Sequence, residues 1–143
     1  MLRWNRECLY KVNDYDFSGS LILVEYHLKQ VLQSMLNGRH LDEESKDYTK
    51  ALKLSIRLLY KINNNVHEER AHDKLDATWG DIVLETRPDG SVNLKRELEK
   101  TPQDKHLIRQ QRIALLETAE RRYQRDMKLF WQIFSKYHRH WWD

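Results

Sequence analysis

One cysteine, Cys8, stands in a chain of 143 residues. A lone thiol closes no internal disulfide, so a secreted, disulfide-stapled scaffold is excluded. Four glycines and two prolines are too few for the many turns of a β-sandwich or barrel, which leaves helices as the main element. Long apolar runs are missing as well: none is longer than that from Leu21 to Val24, which falls far short of the roughly 20 residues that a membrane helix needs. The opening Met1-Leu2-Arg3-Trp4-Asn5-Arg6-Glu7 has no apolar core of signal-peptide length, and the expected location is the cytoplasm. Nor is one charge in excess. Lys and Arg number 25 against 22 Asp and Glu, a balance that argues against a committed nucleic-acid binder, whose cations are in larger surplus or gathered on one side. No Gly-rich phosphate loop, Cys-x-x-Cys pair or serine nucleophile elbow occurs, so no motif names a reaction and the reading leans away from an enzyme.

What is present is apolar and aromatic content spread along the whole chain: 40% of residues are hydrophobic, with five Trp and seven Tyr, enough to close a core. The pattern predicts one mainly α domain over residues 1–143, a bundle of three to four helices with one inserted β-hairpin and a long C-terminal helix. Residues 1–17 read as a lead-in whose aromatics pack on the body. Leu21, Val24, Leu28, Val31, Leu32 and Met35 recur at helical spacing and predict a helix over about 21–36, capped by Ser18 or Ser20 and stopped at Asn37-Gly38. A second helix is expected from near Asp42, with Glu43 and Glu44 in its first turn and Tyr48, Leu52, Ile56, Leu59 and Ile62 inward. Asn63-Asn64-Asn65 weakens it, and a further helical piece can cover 66–77.

Ile82-Val83-Leu84-Glu85-Thr86 and Val92-Asn93-Leu94-Lys95 flank a Pro-Asp-Gly turn, which predicts a β-hairpin over about 82–95. Two strands alone are marginal in water, so the hairpin is expected to lie on the helices. Thr101-Pro102-Gln103-Asp104 is a helix start: Thr as N-cap, Pro at the first helical position, an acid where a capping box wants one. No Gly or Pro follows, so this helix is expected over 102–140. That length exceeds a compact domain of this size, and a break, an elongated bundle or a covering second chain would each resolve it.

Three groups of residues are candidates for function. Trp131, Tyr137, Trp141 and Trp142 belong to an aromatic C-terminus that docks either on the protein's own core or on a protein partner, since Trp and Tyr are enriched in binding hot spots. Glu69 and His72 have the Glu-x-x-His spacing of helical metal sites, and His138, His140 and Asp143 would complete a metal cluster if the fold united them. The competing reading is of surface histidines and no cofactor at all. Arg109, Arg112, Arg121, Arg122 and Arg125 lie along the last helix and could meet phosphates, although mixed charge of this kind is usually a helix's solvated side. Cys8 reads as structural.

Trp79-Gly80-Asp81, the run Leu94-Lys95-Arg96-Glu97-Leu98-Glu99-Lys100-Thr101-Pro102, and His140-Trp141-Trp142-Asp143 together resemble small uncharacterised proteins encoded by bacteriophages. The resemblance covers the second half of the chain and brings no activity with it. It implies action in the cytoplasm of an infected bacterium and, by association, binding and inhibition of a host protein. The leading expectation is a non-enzymatic interaction protein, with a protein partner or a second copy of itself. A metal-binding helical protein and a nucleic-acid-binding accessory protein are the alternatives.

Overall fold

The computed structural model describes residues 17–38 and 43–142. Among them the chain is mainly helical, in the order α1 (Phe17–Asn37), α2 (Glu43–Asn63), α3 (Val66–Trp79), β1 (Ile82–Thr86), β2 (Val92–Arg96) and α4 (Pro102–Trp142). The lead-in as far as Asp16, with Cys8, and also Asp42 and Asp143 lie outside the described residues, and Phe17, the last lead-in residue, already belongs to α1. No described helix is long and apolar enough to cross a membrane. The fold gathers into two compact units: Met1–Asn65 with Gln124–Asp143, and Val66–Tyr123.

In the first unit α1 packs on α2. Helix α1 begins one turn earlier than expected, at Phe17, so Ser18 and Ser20 lie inside it and cannot be its caps. Phe17 stands four residues before Leu21 and so continues the apolar stripe by position. Leu21, Leu28, Leu52, Leu59, Ile62, Phe130 and Trp141 form the interior. Glu25 is buried among them and is stabilised by two partners: Lys29 Nζ lies 2.6 Å from Oε1, and Asn63 Nδ2 donates to Oε2 at 2.6 Å. A buried carboxylate needs such donors to offset its lost hydration. Asn63 also donates to the Leu21 carbonyl at 3.3 Å, tying the end of α2 to the start of α1. Asn65 then takes a left-handed φ of 49°, which Asn tolerates better than most residues, and α3 starts at the next residue.

The second unit holds α3, the hairpin and the first half of α4. Helix α3 stops at Gly80, whose φ is +74° and whose N–H donates to the Asp76 carbonyl at 2.8 Å, a left-handed C-terminal cap. The strands pair antiparallel, with Ile82 opposite Arg96, Leu84 opposite Leu94 and Thr86 opposite Val92. Gly90 (φ +83°) and Asp89 make the turn; Asp89 Oδ1 accepts both the N–H and the hydroxyl of Ser91, at 2.9 and 2.6 Å. The hairpin base is fastened to the end of α3. The Leu98 N–H donates to the Trp79 carbonyl at 3.0 Å, and the buried Arg96 guanidinium donates to Asp76 and, at 3.0 Å, to the Gly80 carbonyl.

The expected capping box opens α4. Asp104 N–H donates to Thr101 Oγ1 at 3.1 Å, and Asp104 Oδ2 accepts from the N–H groups of Thr101 and Lys100 at 2.8 and 3.0 Å. From there α4 runs unbroken for 41 residues, so the break considered for it does not occur. Within α4 the hydroxyls of Thr118 and Ser135 donate to the carbonyls of Ala114 and Trp131, four residues back.

Candidate functional site

Opposite residues of an antiparallel pair share one face of the ribbon. The register therefore places Ile82, Leu84, Val92 and Leu94 together, with Arg96 at the base. All four apolar side chains are more than half exposed, Leu84 at 72%. The expected burial of the hairpin on the helices thus stops at its base. Scattered apolar residues are normal on a surface, but four contiguous ones on a two-stranded ribbon make a patch. On the other face Glu85 Oε1 meets Lys95 Nζ at 2.7 Å, and that bond and charge hold the Glu85 carboxyl below its ordinary range.

The base of the apolar face opens into a groove of about 280 Å3. Its hairpin side is Ile82 and Leu94; α3 contributes His72 and Leu75; α4 contributes Lys105, Ile108, Arg109 and Arg112. Lys105, Arg109 and Arg112 fall at i, i+4 and i+7, one side of a helix. The cations of this groove differ in availability. Arg96 is committed to Asp76 and Gly80, and Lys95 to Glu85. Among the described residues the side chains of Lys105, Arg109 and Arg112 make no hydrogen bond or ion pair. Glu99, the groove's one carboxylate, is occupied as an acceptor for the Arg96 N–H at 3.3 Å. The groove is therefore lined on the hairpin side by Ile82 and Leu94 beside two cations that are already paired, and on the α4 side by Ile108 beside three cations that are not.

A second hollow of about 250 Å3 lies between α3 and α4 of the same unit and carries Arg70, Lys74 and Arg122 beside His67 and Leu115. Arg122 is thus separated from Arg109 and Arg112. Arg121 donates to Thr118 Oγ1 at 3.2 Å, and Arg125 to Asp126 Oδ1 at 3.0 Å. Of the five arginines considered for phosphate contact, only Arg109 and Arg112 meet in one groove.

The aromatic end of α4 serves the interior of the first unit more than its surface. Trp141 is 5% exposed, and its Nε1 donates to the Tyr48 carbonyl at 3.3 Å. Tyr137 is half-buried, edge-on to the Tyr48 ring at 6.0 Å. Trp131, 40% exposed, flanks buried Phe130 at 5.0 Å. Trp142 ends the helix backbone, and its side chain lies outside the described residues. Trp141 is accordingly a packing residue in this unit, and among the described side chains of the group Trp131 is the exposed one.

The histidines are engaged locally. His72 Nε2 lies 3.7 Å from Glu68 Oε1, one turn away, while Glu69 is exposed. His138 stacks on Phe134 at 5.3 Å with Nδ1 2.9 Å from its carbonyl, and His140 stacks on Tyr48 at 4.5 Å. Glu69 and His72 belong to one unit, His138 and His140 to the other. Among the described residues no group of three or more His, Cys, Asp or Glu side chains is arranged to hold a metal ion.

In the sequence Ile82, Leu84, Val92 and Leu94 read as strand residues and not as a contact surface. The signal was legible: alternate apolar residues on both strands of a predicted hairpin share one face. Because two strands alone are marginal in water, the same pattern reads equally as a face packed on the helices. No protein-family model, curated protein or solved structure matches the chain.

Proposed function

We propose that the chain acts by binding a protein, with the apolar hairpin face of the second unit as its contact surface. The observation that supports this is the exposed row Ile82, Leu84, Val92 and Leu94, which the register gathers on one face. Leaving such a face in water costs free energy that a covering partner recovers. Among the described residues the ribbon also has two unpaired strand edges, a surface to which another chain can add. The resemblance to small phage proteins makes a host protein in the bacterial cytoplasm the partner class, with inhibition as the outcome. Trp131 on the first unit is a second, separate contact in this reading.

Site-specific photo-cross-linking tests it. A photoreactive residue at Leu84, in protein expressed in bacterial cells, is expected to give a discrete heavier adduct containing a second protein. The same residue at exposed Lys53 is expected to give none. Adducts at neither position, or equally at both, would remove the reading. An adduct of twice the chain's own mass would replace the host partner by self-association.

A further inference from the structure

Resting on the binding role just proposed, we infer that the groove at the hairpin base is a receptor for an acidic, amphipathic segment of a partner protein. Its apolar side chains would lie against Ile82, Leu94 and Ile108, and its carboxylates against Lys105, Arg109 and Arg112.

Charge complementarity carries the argument. Three cations in register on one side of α4 have no partner among the described residues. They face a groove whose own carboxylate is already bonded to backbone. Side chains of one sign held together repel one another, and an anionic ligand relieves this. Arg109 and Arg112 also offer forks suited to carboxylates. The apolar side of the groove continues past Leu94 onto Leu84 and Val92 towards the turn, so the occupant is longer than a single side chain and carries apolar residues along its length. A second copy of the chain fits less well, because a two-fold contact through the groove's centre would bring the cationic row close to its own image. Nucleic acid also fits less well. A phosphate backbone has no use for Leu and Ile along the groove. Along α4 the cationic row does not continue, since the positions that follow it at helical spacing, Leu116, Ala119 and Tyr123, carry no charge.

Fluorescence anisotropy with purified full-length protein tests the inference. The probes are two labelled synthetic peptides of Glu and Leu, one alternating for an extended conformer and one in helical register. Matched peptides carry Gln or Lys in place of Glu. At least one acidic peptide is expected to bind, its Gln counterpart more weakly and its Lys counterpart not at all. The Arg109→Ala/Arg112→Ala variant should weaken binding about tenfold, equivalent to about 1.4 kcal/mol, and Leu94→Ser should weaken it separately. These side chains are exposed, so circular dichroism of the variants should match the parent. The inference is overturned if neither acidic peptide binds, if the Gln or Lys peptide binds as well, or if the arginine variant binds unchanged. It is also overturned if a duplex oligonucleotide binds through the same arginines regardless of Leu94→Ser. In each of those cases a retained cross-link at Leu84 would keep the protein-binding role, whereas its loss as well would remove both.

Discussion

Gly80 joins helix α3 to the hairpin, and a methyl group placed there tests how tight that joint is. At φ +74° an alanine pays the left-handed penalty, about 1 kcal/mol. Its Cβ would also stand 2.6 Å from Glu97 Oε2 and 2.9 Å from Glu97 Cβ. The carboxylate can swing away, but the Glu97 Cβ is fixed by backbone just after β2. That backbone is itself held by the Glu97 N–H to the Asp81 carbonyl at 3.1 Å. Relieving the overlap therefore shifts the hairpin base, at about 1–3 kcal/mol for overpacking of this kind. Gly80→Ala should cost about 2–4 kcal/mol in all, read from urea unfolding followed by far-UV circular dichroism. Asn65→Ala, at φ 49° in the α2–α3 turn, should pay only the backbone part, about 1 kcal/mol. In a Glu97→Gly background the Cβ contact is gone, so Gly80→Ala should cost less there by about 1 kcal/mol or more. Equal losses for Gly80→Ala and Asn65→Ala, with no coupling to Glu97, would refute the tight joint.

Trp141→Ala should destabilise by about 3–5 kcal/mol, as for other large-to-small core changes, because the indole is 5% exposed; Trp131→Ala, at 40% exposure, should cost no more than about 1 kcal/mol. Equal unfolding midpoints for the two variants would contradict the packing described. Thr101→Ala should cost about 1 kcal/mol through the lost cap. Asp104 is held below the usual carboxylate range by the N–H groups of Lys100 and Thr101. Its contribution should be complete above the unfolded-state pKa and disappear as pH falls through the folded one. The stability gap between parent and Asp104→Asn should therefore close on acidification, and a gap constant with pH would refute the assignment. Leu84→Ser should leave the unfolding midpoint unchanged within about 0.5 kcal/mol, since the residue faces water; a large loss would mean that the hairpin face is structural.

Local chemistry was legible in the sequence wherever it is short-range. The Thr101–Asp104 capping box, the Pro-Asp-Gly turn, the break at Asn63–Asn65 and the helical periodicities each act over three to five residues, and each appears in the structure as read. The mainly helical class with one inserted hairpin follows from them. Tertiary packing decided the rest. Periodicity says that Trp141 and Trp131 belong to one aromatic helix segment, but not which of them the neighbouring helix covers. Only the carbonyl of Tyr48, 93 positions away, settles that Trp141 is the buried one. Alternation places Ile82, Leu84, Val92 and Leu94 on one face, but a face is buried or bare according to what packs on it, and that contact is non-local. The groove has the same origin: Lys105, Arg109 and Arg112 read along the chain as part of a mixed-charge helix. They become a cationic wall only because Arg96, bonded to Asp76 and Gly80, fixes the hairpin base where Ile82 and Leu94 line the same groove.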